Sequence, residues 1–120
     1  MSNAKKVLIV DDDEDFSVLA AVRIEEAGYK VEAETDGGKV LGRVRDIHPD
    51  LLLLDIMLGG DGDGFSILKK IKKEMPDLPV IVVTGKAVMM SDIFSMEGSS
   101  GFFKKPPDFK ELVSRIKDLI

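Results

Sequence analysis

Short apolar runs alternate along the chain with longer stretches in which apolar residues recur every three or four positions. The run "KVLIV" (6–10) is rich in β-branched residues and predicts a strand buried on both faces. From Glu14 the period changes. Phe16, Leu19, Ala20, Ile24 and Ala27 form an apolar stripe at helical spacing, and Gly28 stands where a helix commonly ends. "YKVEAE" (29–34) alternates like a strand with one wetter face. "DGGKVLGRVRDIH" (36–48) predicts a helix on Val40, Leu41, Val44 and Ile47, weakened by about 1 kcal/mol at each of Gly38 and Gly42 and closed by Pro49. "DLLLLD" (50–55) has the continuous apolar character of a central strand, and "GFSILKKIKKEM" (64–75) that of a helix with Phe65, Leu68, Ile71 and Met75 inward. "PVIVVT" (79–84) is the next strand, residues 87–97 hold a short helix, and "GFFK" (101–104) is the last strand. "PDFKELVSRIKDLI" (107–120) closes the chain as a helix facing inward with Phe109, Leu112, Val113, Ile116 and Leu119.

Five alternations of strand and helix, with mostly continuous apolar strands, imply an α/β fold: a parallel sheet covered on both faces. Its length of 120 residues fits one domain, 1–120, with a single proper core. The composition, 44% hydrophobic and 32% charged, is that of a soluble globular protein. The run "LLLL" is too short for membrane insertion, no secretory signal is readable, and the absence of Cys permits a reducing compartment, so the expected location is cytoplasmic. A net charge of −5 with no basic stripe argues against direct nucleic-acid binding.

In open sheets of this kind ligands bind at the carboxyl ends of the strands. The first strand there ends in Asp11 and Asp12, the third in Asp55, the fourth in Thr84, and the fifth in Lys104 and Lys105. With strand one central and strand three beside it, three carboxylates converge and repel one another. A divalent cation together with one lysine balances them, and an all-oxygen site suits Mg²⁺ (or Mn²⁺). Calcium-loop readings fail on spacing. A loop begun at Asp11 has Phe16 at its sixth place and Val22 at its twelfth, and one begun at Asp61 reaches Lys72.

The segments "VLIVDDDEDF", "DLLLLDIML", "PVIVVTG" and "GSSGFFKKP", in that order and spacing, resemble the receiver domain of two-component response regulators. The resemblance implies a flavodoxin-like (βα)5 three-layer sandwich with a five-stranded parallel sheet of order 2-1-3-4-5, its first and last helices on one face. It implies that Asp11 and Asp12 are the acidic pair and that Asp55 accepts phosphate. Asp11 or Asp12, Asp55 and the Met57 backbone carbonyl would bind the metal. Lys105 would pair with the phosphoryl group, Thr84 would be the switch hydroxyl, and Phe102 the aromatic switch. The implied partners are a sensor histidine kinase or histidine phosphotransfer protein and a downstream protein or effector domain. The chain would thus be a phosphoacceptor signalling domain rather than an enzyme in the ordinary sense, although it assists its own phosphorylation and dephosphorylation.

Competing readings remain at this level: an interaction module that keeps the site unused, a flavin-binding protein of similar fold, and a metal-dependent hydrolase. Asp11 to Asp13 would repel a flavin phosphate, and little of the chain is left to form a substrate pocket. Single residues also have plainer roles. Asp13 fits an N-cap, Lys104 a solvated neighbour, His48 an inert turn residue, Phe102 ordinary core, and Met89 and Met90 a covering for the short helix. The chain departs from the family pattern in having Gly59 where Pro is usual and Asp63-Gly64 one residue late. The Thr84–Lys105 segment is also about one residue short. The glycine-rich "LGGDGDG" (58–64) is therefore expected to be the most mobile segment near the site. The resemblance implies that Met57 and Lys86 lie beside the path of the hydrolytic water; neither can accept its proton, so slow loss of the phosphoryl group is expected.

Overall fold

The computed structural model describes residues 4–56, 64–85 and 98–120. Five strands, β1 (Lys6–Val10), β2 (Lys30–Glu34), β3 (Leu51–Leu54), β4 (Val80–Thr84) and β5 (Gly101–Lys104), form one parallel sheet in the order β2-β1-β3-β4-β5. Helices α1 (Glu14–Glu26), α2 (Val40–Ile47), α3 (Gly64–Glu74) and a C-terminal helix (Phe109–Leu119) cover it, with a 3₁₀ turn at Gly37–Lys39 leading into α2. The expected fold class and strand order are the ones found. The short helix expected at 87–97 and most of the glycine-rich loop lie outside the described residues.

Side chains alternate across a strand, so each apolar run supplies two layers at once. Leu8, Val10, Leu52, Leu54, Val80 and Val82 pack with residues of α2 and α3. Val7, Ile9, Leu51, Leu53, Ile81 and Val83 pack on the other face with Ala20 and Ile24 of α1 and with Leu112 and Ile116 of the C-terminal helix. All twelve strand residues are buried, as a sheet covered on both sides requires.

Local signals set the helix ends. Asp13 caps α1, its carboxylate accepting the Phe16 N–H at 3.1 Å, and Glu14 and Asp15 in the first turn suit the positive end of the helix dipole. Beyond α1, Gly28 takes φ +102°, which a side chain would strain. One part of the expected stripe is corrected. Leu19 is 47% exposed, while Ser17 is buried. The inward arc centres on Ser17, Ala20 and Ile24; Leu19 is rotated about 100° from Ala20 and faces out with Val18 and Val22. Among the described residues no helix is long and apolar enough to cross a membrane.

The start of α3 is held by a close backbone approach. The Gly64 N–H donates to the Ile56 carbonyl at 3.1 Å, and a Cβ on Gly64 would lie 2.1 Å from the Ile56 Cα and 2.5 Å from its carbonyl carbon and oxygen. The helix therefore presses on the chain directly after Asp55. Gly64→Ala should destabilise the protein by about 1–3 kcal/mol in urea unfolding, because backbone must move to admit the methyl group. Gly42→Ala in α2, with nothing within 4 Å of the added carbon, should instead stabilise by up to about 1 kcal/mol. Equal effects at the two positions would show that the Ile56 contact relaxes freely.

Candidate functional site

The site grows out of the sheet register. β1 pairs with β3 so that Val10 faces Leu54, and the ladder continues one step further. The Asp55 N–H donates to the Val10 carbonyl at 2.9 Å, and the Asp11 N–H donates to the Glu34 carbonyl at 3.1 Å. Two carboxylates thus leave neighbouring strands side by side, where strands are spaced about 4.8 Å apart. Asp11 and Asp55 are buried and Asp12 is exposed; one oxygen from each of the three lies within 4.8 Å of the others.

The positive partner comes from across the sheet. β4 and β5 pair Thr84 with Lys104, and the Lys105 N–H donates to the Thr84 carbonyl at 2.8 Å. Lys104 stays exposed while Lys105, joined to Pro106 by a cis peptide bond, turns inward. Its Nζ lies 2.6 Å from Asp11 Oδ2 and 3.3 Å from Asp55 Oδ2. The same ammonium sits 4.4 Å from the centre of the Phe16 ring. The Asp13 N–H donates to the other Asp11 oxygen at 2.9 Å. Three carboxylates with one ammonium leave formal negative charge, so the cluster suits a hard divalent cation such as Mg²⁺.

Burial pushes the Asp11 carboxyl up from 3.8 to about 6; the hydrogen bonds from Lys105 and the Asp13 N–H oppose the rise, and the neighbouring Asp55 charge adds to it. Burial acts to lower the Lys105 ammonium, but its hydrogen bond to Asp11 and the charges of Asp11 and Asp55 outweigh this, and its pKa is raised. Lys105 is therefore a permanent cation at physiological pH. Burial makes the charge of Asp11 costly to hold.

Of the residues singled out from sequence, the structure brings Asp11, Asp12, Asp55 and Lys105 together and sets Thr84, wholly buried, at the end of β4 on the same edge. Phe102 is 42% exposed, so the ordinary-core reading does not hold for it. His48 ends α2 in a left-handed conformation, just before β3 begins and so at the opposite edge of the sheet. Asp13 is the N-cap expected. Met57, Gly59, Asp61, Asp63, Lys86, Met89 and Met90 lie outside the described residues. Sequence reading missed two contributors. Gly64 was noted only for its offset, and Phe16 looked like plain core; in a one-dimensional pattern only its position three residues after the cap hints that it faces this edge.

A doubly wound parallel sheet with an acidic cluster and one lysine at its carboxyl edge defines a class of signalling domain. Residues 7–117 match the response regulator receiver domain family, and the chain belongs to that family. It is 31% identical over 118 residues to the DNA-binding dual master transcriptional regulator RpaA of Synechocystis, covering 96% of this chain and 48% of that protein. The chain thus spans about half the length of this curated relative. Among solved structures it is similar to a CheY-like receiver domain protein from Methanospirillum hungatei, at 32% identity and a TM-score of 0.89, covering 97% of this chain and 93% of that one. The receiver domain of NtrX from Brucella abortus is also similar, at 29% identity and a TM-score of 0.86, covering 94% of this chain and 96% of that one. The chain is accordingly a receiver domain of two-component signalling, and that family is one of phosphoacceptor signalling domains rather than of enzymes in the ordinary sense.

The raised Asp11 pKa has a stability consequence. A group whose folded value lies above its unfolded one holds an extra proton when folded, so its contribution is complete below about pH 4 and lost as pH rises through about 6. In metal-free buffer, wild type should lose stability relative to Asp11→Asn across this window, by on the order of 1–3 kcal/mol. Taking the difference between the two proteins cancels the carboxylates that do not interact with Asp11. A difference that stays flat from pH 4 to 8 would rule out burial as the dominant influence on Asp11.

Proposed function

We propose that Asp55 accepts a phosphoryl group from the phosphohistidine of a sensor histidine kinase or histidine phosphotransfer protein, in a reaction that depends on Mg²⁺ or Mn²⁺. The observation that carries this reading is the convergence of Asp11, Asp12 and Asp55 on Lys105 at the carboxyl edge of the sheet. Phosphoryl transfer needs positioning and charge neutralisation more than it needs an acid or base. An Asp55 oxygen attacks phosphorus in line, the P–N bond breaks, and the electron pair leaves with the donor's imidazole. The attacking oxygen is oriented by a backbone tied to Val10 through the Asp55 N–H, and Lys105 stands ready for a phosphoryl oxygen.

Asp11, Asp12 and Asp55 would hold the cation, with the Met57 carbonyl as a further ligand implied by the family. A cation held there would supply positive charge to neutralise phosphoryl oxygens. Thr84, at the end of β4, would follow the new phosphoryl group, and Phe102, with its exposed ring, would respond on the surface that a downstream protein or effector domain reads. The acidic balance of the chain favours protein partners over nucleic acid.

Incubation with Mg²⁺ and acetyl phosphate or phosphoramidate should add one phosphoryl group, detectable in mass spectrometry as a base-labile adduct that hydroxylamine removes. Asp55→Asn should abolish it. Wild type that stays unlabelled, with Mg²⁺ present, would favour the unused-site interaction module instead. Mg²⁺ should bind in roughly the millimolar to submillimolar range, as expected of a site that leaves several waters on the ion. Asp12→Ala should weaken that binding at least about tenfold in NMR titration while leaving the melting temperature nearly unchanged, because Asp12 is an exposed residue.

A further inference from the structure

We infer that Phe16 is a positioning residue for Lys105, its ring face seating the ammonium at the mouth of the site. The inference rests on the phosphoacceptor reading above. Lys105 Nζ lies 4.4 Å from the centre of the Phe16 ring, well inside the range at which the negative face of an aromatic ring attracts a cation. The lysine side chain is only 16% exposed, so water screens this attraction weakly.

The ring is itself fixed from two sides. Its backbone N–H is held by the Asp13 carboxylate at 3.1 Å, and the Asp13 N–H is held in turn by Asp11 at 2.9 Å. One short turn therefore sets the ring relative to the carboxylates. On the other side the Phe109 ring of the C-terminal helix stacks on Phe16 with centroids 6.2 Å apart and planes inclined by 26°. The Arg23 guanidinium caps Phe109 at 5.8 Å. Phe109 and Arg23 thus brace the ring from the groove between α1 and the C-terminal helix.

A ring face suits this task better than a third carboxylate. It attracts charge without accepting a directed hydrogen bond, so the ammonium keeps donors for oxygen partners. A lysine held by carboxylates alone has four flexible carbons and would wander once those carboxylates took other partners. A leucine of comparable bulk fills the space but has no such face.

The test uses wild type, Phe16→Leu, Phe16→Tyr, and a protein with pentafluorophenylalanine at position 16, which keeps the shape while reversing the charge of the ring face. Two readouts are taken: the phosphorylation rate with phosphoramidate and Mg²⁺, and the ring-current shift of the Lys105 ε-methylene protons before and after Mg²⁺ is added. Phosphorylation should slow about threefold to tenfold in the Leu and pentafluoro proteins and stay near wild type in Tyr. The ε-proton shift should persist in wild type when Mg²⁺ binds. A labelled wild type with equal rates in all four proteins, or an ε-proton shift that vanishes on Mg²⁺ addition, overturns the positioning role and leaves Asp55 as acceptor. A wild type that is never labelled overturns the phosphoacceptor reading and this inference with it.

Discussion

The Lys105 ammonium, 2.6 Å from Asp11 and 3.3 Å from Asp55, is the interaction on which the carboxyl edge depends. Two buried carboxylates on adjacent strands are costly in a poorly solvated setting, and removing their cation would leave that charge uncompensated. Burial raises the Asp11 carboxyl even with the lysine hydrogen-bonded to it, and three carboxylates face one ammonium. The site therefore has a standing attraction for positive charge, and the same electrostatics that weaken the fold suit it to a cation.

The rest of the molecule supplies rigidity against that strain. Both faces of β1, β3 and β4 are buried, so the backbone from which Asp11, Asp55 and Thr84 emerge is held by packing on two sides. The ladder bonds of the Asp11 and Asp55 N–H groups carry this order one residue past the strands. On the far side of Asp55, Gly64 brings α3 against Ile56 at a distance no other residue type permits. The Asp55 position is thus clamped before and behind by main chain.

The two helices on the face of α1 play a different part. Asp13 serves at once as the cap of α1 and as a donor to Asp11, so the helix start and the acidic cluster are one structural unit. Through Phe16 and Phe109 that unit touches the C-terminal helix, which follows directly on the segment carrying Lys105. Lysine, carboxylates and the two helices are consequently joined by a continuous series of contacts that reaches the groove lined by Phe109 and Arg23.

Much of this was legible without coordinates. The β-branched runs, the change of period at Glu14 and the stops at Gly28 and Pro49 are local features, and they specify strands and helices through steric preference and burial period alone. The acidic residues could be assigned to one edge because parallel strands all end on the same side. Gly64, Phe16 and the outward turn of Leu19 could not be read in this way. Whether Gly64 must lack a side chain depends on how closely Ile56 approaches, and the role of Phe16 depends on a lysine 89 residues further along the chain. Leu19 fits a helical stripe as well as Ser17 does until the sheet selects which arc of α1 is buried. A linear pattern records which residues share a face; only close packing between distant segments decides which face is covered and which charge meets which partner.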